Sequence, residues 1–533
     1  SGPLDVELVR SGAISQTDAS LARMVKSQCD TSLDRILVAE ELITKQVLLD
    51  AHARHFKSRR LDRSDLASLE PFEPAISPTL MLRYAVLPVV DRDGCLALVC
   101  DEPSGFEAVQ PHLPDQLHDA RILWAPREAI QSRIASLHRD QLADAAVSRV
   151  SEQESCRNWS RRKARRLGAA VGTLLSLAAL TVSFPQVVFG LFVLWAIFTL
   201  IVSVGFKTAA YVAHRVAEPE PESIEGPGPV RPLPRVSILV PLFRETEILH
   251  ALVARLSRLT YPKCLLDVVL VLEEEDETTR RMLASIDLPP WIRPVIVPDG
   301  RPRTKPRAMN YALDFCEGDV IGIYDAEDAP DPDQITQVAR RFQNLPPEVA
   351  CIQGILDYYN PRQNWLARCF TIEYAAWFRL VLPGMARLGF AIPLGGTTLF
   401  FRREALEKLG AWDSHNVTED ADLGFRLARH GYRTEMLTTV TEEEANCLPW
   451  AWIKQRSRWL KGYMTTYLVH MRRPLMLWRQ LGPWKFMGFQ AHFLTALSQF
   501  MLAPVLWSFW LVIVGLPHPL DPVIPRSVSY THL

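Results

Sequence analysis

No charge of either sign is in excess in this chain: 59 Lys and Arg face 60 Asp and Glu, a formal net charge of −1 over 533 residues. Such a balance gives no global attraction to nucleic acid. A cysteine framework is missing as well. The nine cysteines, at positions 29, 95, 100, 156, 264, 316, 351, 369 and 447, are odd in number, scattered, and free of C-x-x-C or Cys/His metal spacing. This excludes a disulfide-stapled fold and suits a reducing cytosol. At roughly 150 residues per domain, the length allows about three domains. A hydrophobic share of 48% with mean hydropathy +0.02 is high for a soluble protein, while 22% charged residues is too many for a chain apolar throughout. A chain that is part soluble and part membrane reconciles the two.

Charge is absent locally. From Leu167 to Phe206, forty consecutive residues hold no Asp, Glu, Lys or Arg, interrupted only by Phe184-Pro185-Gln186. With about 20 apolar residues per span, the run predicts two transmembrane helices, near 168–184 and 187–206, closed by a tight Pro turn. A third charge-free run, Phe493 to Leu516, predicts another span. Arg157, Arg161, Arg162, Lys163, Arg165 and Arg166 precede the hairpin, and Lys207, His214 and Arg215 follow it. Basic flanks on both sides place both ends in the cytoplasm by the positive-inside rule, and phospholipid headgroups rather than nucleic acid are the expected anion there. The start, Ser1-Gly2-Pro3, has neither Met nor a signal-peptide pattern, and the final Val528-Ser529-Tyr530-Thr531-His532-Leu533 reads as a translated sequencing adaptor. The natural chain is therefore expected to be longer, with three spans as a lower bound.

Residues 1–150 carry an internal repeat at a spacing of 29: Leu4-Asp5, Leu8-Val9 and Ile14-Ser15 recur as Leu33-Asp34, Leu37-Val38 and Ile43-Thr44. Each copy predicts a short helix, a turn and an amphipathic helix opened by a Ser/Thr cap. Strand-like runs at Ala85–Val90 and Leu96–Cys100 flank the turn Asp91-Arg92-Asp93-Gly94, and a helix from Pro126 to about Ala145 leads to the membrane. This arrangement resembles the N-terminal domain of type II secretion and pilus ATPases, which in some relatives binds cyclic di-GMP through Arg-Leu-Gly at the start of each repeat. Here Pro3-Leu4-Asp5 and Ser32-Leu33-Asp34 stand at those positions, and an Asp facing a phosphate repels it. The expected role is structural, protein-docking or regulatory, without cyclic di-GMP.

The segment 217–235, with six prolines and two glycines, predicts an extended linker. After it, strands at Val236–Pro241, Asp267–Leu272, Pro294–Pro298, Asp319–Tyr324 and Val349–Ile355 are separated by helices such as Ile248–Leu259, Arg303–Phe315 and Gln334–Phe342. This spacing predicts an α/β, doubly wound, mostly parallel sheet that binds ligands at the C-terminal ends of its strands. Polar residues gather at those ends: Arg244-Glu245 after the first, Glu273-Glu274-Glu275-Asp276 after the second, Asp325-Ala326-Glu327-Asp328 after the fourth. Asp325 and Glu327, at i and i+2, offer hard oxygen ligands to Mg2+ or Mn2+. Downstream, Leu394-Gly395-Gly396-Thr397-Thr398 precedes Thr418-Glu419-Asp420, which opens a helix over Asp422–His430. Gln455, Arg458 and Trp459 share one face of a helix over Trp450–Lys461. Alone, the first of these two reads as an N-cap carboxylate and the second as a membrane-surface helix.

Taken in order, P-x-x-x-E, D-x-[DE], T-E-D and Q-x-x-R-W before a membrane span resemble the family 2 inverting glycosyltransferases of the processive, cellulose-synthase-like kind, over about residues 236–516. The resemblance implies a Rossmann-like GT-A catalytic domain at 236–447, interfacial helices at 448–487, a span within 488–516 and a tail at 517–533. These follow the 1–150 module, the basic segment and hairpin at 151–216, and the linker. It implies that Asp420 is the base for the acceptor hydroxyl, and that Asp325 and Glu327 hold Mg2+ or Mn2+. Asp328 is a competing ligand, because the family usually has Asp where Glu327 stands. Glu245, Glu274, Asp276, Lys305, Asp325, Gln455 and Arg458 are then donor and diphosphate contacts, and Trp459, Thr418 and Glu419 face the acceptor. E-E-E-D replaces the usual D-D-G, which leaves Glu274 and Asp276 as alternatives at the nucleobase.

The implied activity is inverting transfer from a UDP-sugar to a growing glycan, building a β-linked polysaccharide. The work would be done at the cytoplasmic face of a bacterial inner membrane and the product fed across the bilayer with an export partner protein. A single addition to a lipid-linked acceptor is the alternative within enzymes. A non-catalytic part of a surface-receptor or export assembly is the alternative outside them.

Overall fold

The computed structural model describes residues 4–29, 31–73, 76–158, 163–216, 231–245, 247–518 and 520–521. Pro3, Arg161, Arg162, most of the linker (217–230) and the terminal 528–533 lie outside the described residues. In chain order, Leu4–Arg10 with Gln16–Gln28, and Leu33–Ala39 with Lys45–His55, are the two copies of the 29-residue repeat. Ser15 and Thr44 cap the second helix of each copy, Ser15 in a reciprocal box with Asp18. The aspartates that open the copies are paired internally, Asp5 with Arg23 (2.6 Å) and Asp34 with His52 (3.1 Å), at equivalent positions of the repeat. Strands β1 (Glu70–Pro71), β2 (Leu87–Val90), β3 (Leu96–Cys100) and β4 (Arg121–Trp124) form a small sheet in that order. The helix expected over Pro126–Ala145 is two, Arg127–Leu137 and Arg139–Ser148, separated at His138, which leaves helical geometry (φ −112, ψ 27).

A second sheet holds β5 (Val236–Leu242), β6 (Leu266–Glu273), β7 (Ile292–Val297), β8 (Val320–Ile323), β9 (Ala329–Pro330), β10 (Val349–Tyr358), β11 (Leu399–Arg402) and β12 (Arg433–Glu443), in the spatial order β7-β6-β5-β8-β11-β10-β12-β9. Central strands such as β5 and β10 are apolar along nearly their whole length because helices cover both faces. β7 alternates and contains Pro294, which an edge strand tolerates. The sheet is not parallel throughout: β11 runs against both β8 and β10, and β9 against β12. The doubly wound expectation therefore holds for β7-β6-β5-β8 and gives way to a mixed sheet beyond β8. The short run that makes β11 follows Gly395-Gly396-Thr397-Thr398, and the helical stretch from Trp365 to Arg387 between β10 and β11 returns the chain in the antiparallel sense.

The N-terminal region contributes to both layers of core packing. One apolar cluster joins Leu98, Trp124 and Ile130 to Phe315, Ile321 and Leu399; another joins Leu8, Ile36 and Leu37 to Val240, Leu270 and Phe400. Between the two regions lies a buried ion-pair network. Arg35 contacts Glu102 and Glu317, and Arg127 contacts Glu317 (2.6 Å) and Asp101 (2.7 Å).

Among the described residues three helical segments, Ala164–Ser183, Pro185–Val216 and Pro474–Ile513, are long and apolar enough to cross a membrane. The second is longer than the 187–206 expected. Trp195 Nε1 donates to Ser498 Oγ (3.0 Å) and Gln499 Nε2 to the carbonyl of Thr199 (3.3 Å), joining the second span to the third. The expected interfacial segment at 448–487 divides between Pro449–His470 and the helix Pro474–Trp507. The latter bends at Gly482 (φ 71, ψ 169), directly before Pro483, and a short helix Phe509–Ile513 follows it. The helix thus begins before the expected Phe493, while the expected charge-free run forms its C-terminal part.

Candidate functional site

Lys305 stands at the centre of the polar strand ends. It opens the helix Lys305–Leu313, and its Nζ lies 2.5 Å from Asp325 Oδ1 and donates to the carbonyl of Gly396 (3.3 Å). Burial opposes its charge, but Asp325, Asp420 and Glu419 around it hold the ammonium above its ordinary range. Motifs distant in sequence are thereby brought within Coulomb reach of one cation.

Asp420 is the second residue of the helix Glu419–Arg429. Its Oδ1 is buried without a hydrogen-bond partner, and its Oδ2 lies 3.6 Å from where a Cβ on Gly396 would stand. Burial first, and then Glu419, push the carboxyl well above the usual carboxylate range; burial also raises Glu419. A desolvated carboxyl with an unused oxygen beside a glycine-lined space is suited to accepting a proton from a bound group.

The carboxylates around Asp325 outnumber the cations. Glu327 is raised by burial and then by Asp325, Glu245 and Glu444, and Glu443 is raised by burial and then by Asp328, Asp325 and Glu327. Such crowding is relieved by a bound divalent cation. Among the described residues no three His, Cys, Asp or Glu side chains close into a ready-made cage. Asp325 and Glu327 would supply two hard oxygen ligands to a Mg2+-like ion. Asp328 turns inward instead: it is buried, and its Oδ2 accepts from the Asp325 amide (2.8 Å) and from Thr397 Oγ1.

At the second strand end the two alternatives separate. Glu274 is half-buried, and Arg139 grips it through two bonds (3.1 and 2.5 Å) and, with the Asp299 amide (3.1 Å), holds its carboxyl below the usual range. Asp276 is buried. It caps the helix Glu277–Ala284 by accepting from the Thr279 amide (3.1 Å) and hydroxyl (2.6 Å), and it also accepts from the Arg244 amide. Both of its oxygens are used inside the protein, so the expectation of a nucleobase contact there is corrected to a loop-fixing role. That cap shapes the turn at Arg244 (φ 58), after which the Glu245 amide donates to Thr279 Oγ1 (3.0 Å).

The Q-x-x-R-W helix and the T-E-D loop form one unit. A Cβ on Gly462 would lie 2.4 Å from Thr418 Cγ2, so only glycine lets the helix Pro449–His470 pass that close. Thr418 Oγ1 lies 3.4 Å from Thr466 Oγ1. Arg458 is exposed and close enough to Glu419 to favour its ionised form. Gln455 Oε1 accepts from Asn446 Nδ2 (3.4 Å). Trp459 is half-buried, packed beside Phe370 (6.1 Å) and Tyr374 (6.5 Å), with the guanidinium of Arg456 5.0 Å from its ring centre. The ring is therefore engaged by the protein over part of its surface. Sequence reasoning missed Arg456 and Glu443. The acidic triplet Glu442-Glu443-Glu444 after the β-branched Thr439-Val440-Thr441 was the available signal, of the same kind as the other strand ends.

Residues 234–462 match the model of Glycosyltransferase like family 2. Over 336 residues the chain is 27% identical to a beta-monoglucosyldiacylglycerol synthase of Synechocystis sp., covering 60% of this chain and 66% of the relative. Over 321 residues it is 25% identical to a probable glucomannan 4-beta-mannosyltransferase of Arabidopsis thaliana, covering 56% and 57% respectively. The chain thus spans between half and two thirds of the length of these curated relatives. A solved mannosyltransferase from Pyrobaculum calidifontis, in complex with GDP-Man and Mn2+, superposes with a TM-score of 0.45 at 18% identity, covering 63% of this chain and 90% of that one. Residues 234–462 are thus similar to family 2 glycosyltransferases, and they lie on the mixed α/β sheet.

Proposed function

We propose that the protein transfers a sugar, with inversion, from a nucleoside-diphosphate sugar to an acceptor held at a membrane surface, and that it repeats the transfer to build a β-linked glycan. The convergence of Asp325, Lys305 and Asp420 at the strand ends carries this reading. Asp420 accepts the proton of the acceptor hydroxyl, a role typically worth ~10² to 10⁴ in rate. Lys305, Gln455 and Arg458 receive the diphosphate, Arg458 through a fork matched to phosphate oxygens. Asp325 and Glu327 hold Mg2+ or Mn2+, which when bound offsets charge developing on the leaving diphosphate. Thr418 and Glu419 line the acceptor side, and Trp459 offers the acceptor sugar its uncovered surface. Glu245 and Glu274 border the donor, and UDP-sugars are the expected donors. The three apolar helices support a membrane location. The basic flanks support cytoplasmic placement of the domain, in a bacterial inner membrane.

A second reading, one addition to a lipid acceptor, is favoured by the span of the match to the relative named as a glucosyldiacylglycerol synthase. Membranes containing the full chain, incubated with a panel of radiolabelled UDP- and GDP-sugars and a divalent cation, test both. A polymer of graded length supports the first. A single lipid-soluble product of uniform size replaces it with the second. No incorporation from any donor rejects transfer itself.

A further inference from the structure

Between the N-terminal region and the first membrane helix, the chain runs across the back of the site. The carbonyl of Ala146 accepts from Asn310 Nδ2 (2.9 Å) and from Ser414 Oγ (2.8 Å). Asn310 belongs to the helix that Lys305 opens, and Ser414 to the loop that leads into Asp420; Thr304 Oγ1 closes the triangle on the Ser414 carbonyl (2.8 Å). Further along, Ser155 Oγ (2.8 Å) and the Cys156 amide (2.6 Å) donate to the two oxygens of Asp413. Glu154 reaches the opposite end of the helix Glu419–Arg429, pairing with Arg429 (3.2 Å) and His430 (3.3 Å). Ser155 and Asp413 are each 1% exposed. Burial works against the charge of Glu154 and Asp413, yet their partners hold both carboxyls down at about 2. Arg472, just before the third membrane segment, donates to the carbonyls of Glu152 (3.2 Å) and Ser155 (3.0 Å).

We infer that the segment 146–156 is a positioning element for sugar transfer, fixing both ends of the Asp420 helix and tying it to the Lys305 helix. This rests on the transferase reading above. Asp420 has a single useful placement relative to the acceptor hydroxyl, and a displacement near 1 Å costs about a hundredfold in rate. The Lys305 helix is held at Ala146, whereas the Glu154 and Ser155 side chains bond to the loop and helix that carry Asp420, so changes at these two leave the donor contacts in place. Loosening the segment therefore lowers kcat and leaves the donor KM in place.

The test uses the full chain in membranes, with Ser155→Ala, Glu154→Gln and Asp413→Asn. Expected is a loss of kcat of about tenfold or more, a donor KM within about twofold of wild type, and faster amide hydrogen exchange across 411–430. Unchanged kcat with unchanged exchange overturns the inference. So does a loss of activity that only tracks the unfolded fraction, with normal kcat per folded molecule. If the wild-type protein transfers nothing, the transferase reading falls, and exchange at 411–430 still decides this one: protection equal to wild type in all three variants rejects it.

Discussion

Replacing Asp420 by Asn keeps the side chain's shape and removes its capacity to take a proton. Two consequences follow from its surroundings and point in opposite directions. Loss of a positioned base predicts a fall of two to four powers of ten in kcat, about 3 to 5 kcal/mol of transition-state stabilisation. Stability moves the other way. Burial and Glu419 raise the native carboxyl well above its ordinary value, so its contribution to folding is favourable only at low pH and is lost as pH rises through the raised native pKa. Above the ordinary carboxylate range the buried Asp420 carboxyl therefore costs stability that Asn does not. The variant is therefore expected to melt higher than wild type at pH 7 to 8, with the difference vanishing near pH 4. The assay pairs initial rates of labelled-sugar incorporation with thermal unfolding across pH, and nucleotide binding in the presence of Mn2+ confirms an intact donor site. Activity within about threefold of wild type, or a melting temperature lowered at neutral pH, would refute the reasoning.

Asp325→Asn is expected to raise the Mn2+ concentration for half-maximal activity by about tenfold or more; an unchanged metal dependence would remove Asp325 from the ligand set. Gly462→Ala forces a methyl group against Thr418 and should destabilise by about 1 to 3 kcal/mol, read as a lower unfolding midpoint together with lower activity; a normal midpoint would mean that the helices part freely. Arg456→Lys loses the paired contact with Glu373 (2.8 Å for one of its bonds) and the stacking on Phe370 and Trp459. A cost of roughly 1 to 2 kcal/mol is expected in the same measurement.

The sequence was most legible where one physical rule acted alone. Charge-free runs marked the long apolar helices, and the 29-residue echo marked the paired N-terminal helices down to their Ser15 and Thr44 caps. β5, β6 and β8 were readable as unbroken apolar runs ending in acid. What escaped depended on contacts distant in sequence. β11 has only Leu399–Arg402 to announce it, and its direction is set by pairing with β8 and β10. Asp276 and Asp328 carry the same letter as Asp325, yet Thr279 and Thr397 turn them inward. Nor did any local pattern place Ala146 and Glu154 behind Asp420, since those contacts join residues more than 160 positions apart.

The ion pairs between the N-terminal region and the catalytic sheet also set an order of assembly. Arg35 leaves the ribosome 282 residues ahead of Glu317, which at about 5 to 20 residues per second is tens of seconds. In that interval the apolar helices Ala164–Ser183 and Pro185–Val216 are made. Until β8 is synthesised, Arg35 has Glu102 alone and Arg127 has Asp101 alone, and the apolar surface later covered by Phe315 and Ile321 faces water. The N-terminal region is thus completed only after the chain 282 residues further on has been made, and its native packing reports that the second sheet has formed beside it.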